Sequence, residues 1–228
     1  MDKSKVIVWD VPTRAFHWLL ALSFVGAFLT AESERYRDVH VMLGYTMLGL
    51  VAFRLVWGVV GSRYARFWSF AFGPRSVLTY LKSLFAGSPQ HYLGHNPAGS
   101  WAIYALLALS VLAGASGYAA YNDIGGHWME DVHEALANTL LGVVFVHLAG
   151  VLVSSLLHRE NLVRSMLSGY KSAKSGAGIR YRHRLIGAAL VAAVAAFWIA
   201  GPDSLPSQWN PASQAASARD HSEDRRHD

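Results

Sequence analysis

The chain has 228 residues, of which 53% are hydrophobic and only 15% charged, with a formal net charge of +5. That balance belongs to a membrane protein, and because the Lys and Arg residues gather in particular loops the positive charge is not a nucleic-acid signature. With no cysteine, the chain can hold no cysteine-ligated iron–sulfur cluster, no covalently attached c-type haem and no disulfide.

Five segments are apolar enough to span a bilayer, at residues 15–31, 39–60, 98–121, 135–157 and 185–201. The first is preceded by Asp10, Pro12 and Arg14 and contains His17. A cleaved signal peptide is its rival reading, opposed by Asp2, Trp9, Asp10 and Pro12 ahead of it and by the histidine inside it. If Asp10 caps a helix with Pro12 in its first turn, the span begins early enough to carry His17 deeper. The second span starts at His40 and contains a single charge, Arg54. The loop that follows has Arg63, Arg66, Arg75 and Lys82 and no acid. Within it, Pro74 can open a short helix that sets Val77, Leu78, Leu81, Leu84 and Phe85 on one side, either lying on the membrane surface or packed on the bundle. The third and fourth spans are free of charge for 24 and 23 residues, enough for a crossing. The loop between them carries Asp123, Glu130 and Asp131. The fifth span is Ala-rich, lacks histidine, and follows a basic stretch containing Arg159, Arg164, Lys171, Lys174, Arg180, Arg182 and Arg184. Residues 202–228 are polar with scattered Pro, Ser and Ala, a composition expected of a disordered tail. There is no internal repeat. The expected organisation is an all-α integral membrane protein: a four-helix transmembrane domain over 1–170, a basic linker over 171–184, a fifth transmembrane helix over 185–201 and the tail.

Fourteen Lys and Arg fall on one side of this topology, against Arg35 and Arg37 on the other. The positive-inside rule then puts the N-terminus in the cytoplasm and the C-terminus outside.

The histidines carry the functional argument. His133 and His147 are fourteen residues apart on the fourth span, so they share a face and stand about 21 Å apart along the axis. Imidazole inside lipid is costly and marks a functional site. His40 lies at the level of His133, and His17 at the inner end with His147. Two levels, each with one histidine from the fourth helix and one from another helix, form the ligand set for two stacked haems with axial imidazoles. Arg54 is fourteen residues after His40, on the same face and at the inner level, suited to a haem propionate or a quinone headgroup, or to snorkelling into the nearby interface. Arg14, one turn before His17, reads as a positive-inside residue within reach of a propionate. His91 and His95 read as solvated loop residues. Trp9, Trp18, Trp57, Trp101 and Trp128 read as interface-belt residues. Gly44, Gly49, Gly114 and Gly117 would let helices approach closely or leave room for a flat macrocycle.

The stretches WDVPTRAFHW, HVMLGYTMLGLVAFRLVWGVVGSRYARF, YLGHNPAG, VHEALANTLLGVVFVHLAGVL and HRENLVRSMLSG resemble the bacterial di-haem cytochrome b561 family, which includes the b-type cytochrome subunits of nickel–iron hydrogenases and formate dehydrogenases. The resemblance runs from about residue 8 to 169. It implies His17 with His147 and His40 with His133 as ligands of two non-covalent b-haems. It also implies electron transfer in the bacterial inner membrane between the quinone pool and a periplasmic c-type cytochrome, dehydrogenase or hydrogenase. A free-standing quinone-linked oxidoreductase, such as a superoxide oxidase, is the alternative within that chemistry; a haem-free transporter or proton relay is the alternative outside it.

Overall fold

The computed structural model describes residues 3–87 and 90–201; the tail at 202–228 lies outside them. In chain order the elements are β1 (Lys3–Ile7), α1 (Val11–Thr30), α2 (Arg37–Val60), α3 (Pro74–Phe85), α4 (Pro97–Tyr121), α5 (Trp128–Leu157), α6 (Leu162–Ser168), β2 (Tyr170–Lys174) and α7 (Arg184–Ala200). Four helices, α1, α2, α4 and α5, are long and apolar enough to cross a membrane. α7 is apolar with 17 residues, a length of about 26 Å against a hydrocarbon core of about 30 Å.

α1 packs on α2 and α4 on α5; α2 joins the two pairs through α4, and α7 lies along α1. The bundle core is formed by Phe16, Leu50, Val51 and Leu107, with Leu190 and Val194 of α7 packed against it. Trp198 of α7 donates to Thr46 Oγ1 at 3.0 Å. Large apolar side chains such as Leu29, Val146 and Leu156 point outward, the arrangement a helix surface takes when its solvent is lipid.

Asp10 explains why α1 begins where it does. It accepts from the Thr13 N–H through Oδ1 at 2.9 Å, an N-cap with Pro12 in the first turn. Its Oδ2 accepts from Trp57 Nε1 at 3.0 Å, tying the start of α1 to the end of α2. The early start expected from Pro12 is therefore present, and it carries His17 two turns into the helix. Asn96 caps α4 in the same manner, accepting from the Gly99 N–H at 2.7 Å.

The two strands are absent from the sequence-based expectation. β1 pairs antiparallel with β2, from Lys3 opposite Lys174 to Ile7 opposite Tyr170. The ladder continues as the N–H groups of Val8 and Trp9 donate to Gly169 O at 2.9 and 3.2 Å. Gly169 ends α6 at φ 85°, and a Cβ there would stand 2.7 Å from Trp9 O, so both backbone shape and space require glycine. Beneath the ribbon Val6, Val8 and Trp9 form a second core with Tyr64, Leu93, Met166 and Ala173. Lys171 is buried there with Glu160 at 3.3 Å; burial holds its amine below the usual lysine range, and Glu160 partly offsets this.

α3 packs on α4. Leu78 and Leu81 of its expected apolar set are exposed, whereas Tyr80, outside that set, is buried and lies 3.4 Å from Ser154 Oγ near the end of α5. Trp9 and Trp57 depart from the belt expectation: both are buried, one in the ribbon core and one on Asp10.

Candidate functional site

The bundle has an acidic end, where α2 and α5 begin, and a basic end, where α1 begins, α5 ends and the ribbon packs on α6. At the acidic end, His40 in the first turn of α2 and His133 in the second turn of α5 come together with ring centres 6.1 Å apart and planes at 86°. His40 Nδ1 lies 2.8 Å from Ala27 O, and His133 Nδ1 lies 2.9 Å from Ala113 O. A carbonyl can only accept, so each Nδ1 donates, and in the neutral imidazole Nε2 is then the nitrogen with the free lone pair. A backbone carbonyl fixing the far nitrogen is also how a metal-bound histidine is oriented. A metal between two imidazole nitrogens at about 2 Å each separates the ring centres by roughly 6 Å, the spacing present here.

The surroundings leave room beside the pair. A cavity of about 430 Å³ is lined by His40, Gly44, Tyr45, Gly117, Tyr118 and His133, with Glu34, Arg37 and Glu130 among its other residues. The four glycines divide into two groups. A Cβ on Gly117 would meet His133 Cε1 at 2.8 Å, and one on Gly114 would meet Leu48 at 2.4 Å, while Gly44 and Gly49 have nothing within 4 Å. Close approach thus accounts for the α4 glycines. Gly44 leaves open space in the cavity beside the two rings.

At the basic end, His17 of α1 and His147 of α5 are electrostatic neighbours. His17 Nδ1 is buried with no hydrogen-bond partner, and its ring meets Trp18 edge-on at 5.2 Å. Arg54 does not snorkel: it is 3% exposed, with its guanidinium 4.7 Å over the Phe67 ring and 5.9 Å over Phe70. Its Nη1 has no partner. Arg14 reaches α6, where Nε donates to Met166 O at 3.3 Å and Nη2 donates to Leu167 O; it holds α1 to the end of α6.

His95 departs most from expectation. Rather than standing in water, its ring packs 4.7 Å from Trp9 and 4.4 Å from Phe70, and its Nδ1 is buried and unpartnered. Burial, then the charges of Arg54, Lys171, His147 and His17, pushes its pKa down to about 3. The signal in the sequence was the Asn–Pro pair after it: Asn96 is the cap and Pro97 the first residue of α4, which turns the residue before the cap back under the bundle. Among the described residues no group of three or more His, Cys, Asp or Glu is placed to hold a metal ion.

The chain matches the profile of the prokaryotic cytochrome b561 family over residues 8–169. Among similar proteins, one from Rhizobium leguminosarum bv. viciae is 24% identical over 223 residues, covering 76% of this chain and 92% of that protein. One from Cupriavidus necator is 26% identical over 219 residues, covering 73% and 87%, and one from Azotobacter vinelandii is 25% identical over 220 residues, covering 75% and 90%. Each bears the description "Probable Ni/Fe-hydrogenase B-type cytochrome subunit". No solved structure matches at the same level of significance. The matched stretch takes in all four long helices, the histidine pairs and the loop that bears His95: the chain belongs to the prokaryotic cytochrome b561 family and is a membrane b-type cytochrome.

Proposed function

We propose that this cytochrome carries electrons through the membrane on two b-haems, one held by His40 and His133 and the other by His17 and His147, with Arg54 serving the inner one. The observation that carries the reading is the His40–His133 pair: ring centres 6.1 Å apart, each Nδ1 bonded to a backbone carbonyl, beside a cavity with an open glycine wall. The unpartnered His17 Nδ1 beside His147 supports the second pair.

A bound haem supplies one-electron iron chemistry. Held by two imidazoles, from His40 and His133 or from His17 and His147, each haem would favour outer-sphere electron transfer over oxygen binding. The protein contributes ligand orientation through Ala27 and Ala113, and a low-dielectric setting that tunes potential. The basic end faces the cytoplasm of a bacterial inner membrane, a reading the Lys and Arg bias supports, with the N-terminus inside, α7 as a fifth crossing and the C-terminus in the periplasm. Electrons pass between the quinone pool and a redox partner at the acidic end. The descriptions of the similar proteins favour a nickel–iron hydrogenase as that partner; another dehydrogenase or a c-type cytochrome would use the same end.

The test is the haem-to-protein ratio of the detergent-purified chain, measured by pyridine haemochrome. The expected ratio is two, falling to one in His133→Ala and to one in His147→Ala, with a different haem missing in each by redox titration. Unchanged haem content in both variants would refute the pairing.

A further inference from the structure

We infer that Arg54 and His95 together form a carboxylate-binding site at the basic end of the bundle, and that its occupant is a propionate of the inner haem. The inference rests on the two-haem reading above and adds to it a second binding residue and the charge of the group bound.

Arg54 is a cation 3% exposed whose guanidinium rests on Phe67 and Phe70. A buried charge without a partner costs several kcal/mol, so such a group is found paired. Among the described residues no carboxylate makes an ion pair with it. Asp10 acts on it across the site, but both Asp10 oxygens already accept, from Thr13 and from Trp57. The other acid at this end, Glu160, is held by Lys171 and His91. The Arg54 Nη1 donor is therefore left with no acceptor.

His95 shares the Phe70 ring with Arg54 and is likewise left with a buried, unpartnered Nδ1. It also feels the charges of both His17 and His147, which sets it towards the same end of the bundle as that pair. The buried unpartnered side-chain atoms of the described residues concentrate here: Thr13, His17, Trp18, Arg54, Ser62 and His95, with Tyr45 alone at the acidic end. In a folded protein such atoms are paired with solvent or with a ligand. The charge decides which ligand. A quinone oxygen is neutral and would leave the arginine uncompensated, whereas a carboxylate supplies both the acceptor and the counter-charge.

The probes are haem b and its dimethyl ester, in which both propionates are uncharged, titrated into full-length chain purified haem-free in detergent. Wild-type protein should take haem b into the inner site with an apparent affinity roughly tenfold or more above that of the ester. Arg54→Gln and His95→Phe should each narrow that preference, and Arg54→Gln should move the inner haem potential negative. The outer haem should bind and titrate unchanged in both, which shows that the bundle is folded. Two haems in the wild type with no preference for the free acid, or a preference that survives both substitutions, overturns the site while leaving the two-haem reading standing. A wild-type chain that binds only one haem removes that reading, and the site with it.

Discussion

Gly117→Ala sets two physical effects against each other in one methyl group. Alanine in a helix is worth about 1 kcal/mol more than glycine, so the substitution favours α4 on its own. The added Cβ, however, would lie 2.8 Å from His133 Cε1 and 3.0 Å from Nδ1. Ordinary contact begins at 3.4 Å, so the ring must retreat by about 0.6 Å, and the 2.9 Å bond from Nδ1 to Ala113 O stretches towards the limit of a hydrogen bond. Loss of that anchor is worth about 1 kcal/mol to the fold, roughly cancelling the helix gain. At a metal ligand the same loss costs roughly 10- to 100-fold in affinity. The expected outcome is a thermal stability of the haem-free chain within about 1 kcal/mol of wild type, with an outer haem that binds at least tenfold more weakly and an altered low-spin ferric EPR signal. The inner haem should be unaffected. Gly49→Ala, at an exposed position with nothing within 4 Å, should show the helix gain alone. Wild-type affinity for both haems in Gly117→Ala would refute the argument that this glycine exists to seat His133.

Gly44→Leu should act in the opposite way, since its Cβ meets no protein atom but enters the cavity beside His40 and His133: the bundle should fold and the haem count should fall from two to one. Acid sensitivity offers a separate check. His95 is neutral in the fold, with its pKa at about 3 against an ordinary 6.5, so unfolding takes up a proton between those values. The stability it contributes is complete above pH 6.5 and is lost as pH falls towards 3, at up to about 1.4 kcal/mol per pH unit. Denaturant unfolding of the haem-free protein at pH 7 and pH 5 should therefore diverge less in His95→Phe than in the wild type, and equal divergence would contradict the burial argument.

The four long spans, the capped start of α1 and a histidine of α5 facing one of α2 were legible because each rests on local rules: a run of apolar residues, an Asp–x–Pro start, a turn of 100° per residue. What escaped depends on distant partners. KSKVI at β1 and YKSAK at β2 are short and rich in lysine; neither reads as a strand until the other lies beside it. Whether Arg54 snorkels or stays buried is decided by Phe67 and Phe70, which reach it from a loop. His95 looked polar because its neighbours in sequence are polar; its neighbours in space are Trp9 and Phe70. The aromatic belt failed at Trp9 and Trp57 for a related reason, since a ribbon and an aspartate inside the fold claimed side chains that composition alone assigns to the lipid interface.

The ribbon also sets a timetable. Lys3 pairs with Lys174, so the first strand of the chain waits through the synthesis and insertion of all four long helices before its partner leaves the ribosome. At some 5–20 residues per second the wait lasts roughly ten seconds or more. Until then the bonds from the Val8 and Trp9 N–H groups to Gly169 O, which tie the entry of α1 to the end of α6, cannot form. The second core of Val6, Val8 and Trp9 with Met166 and Ala173 is therefore among the last parts of the chain to assemble.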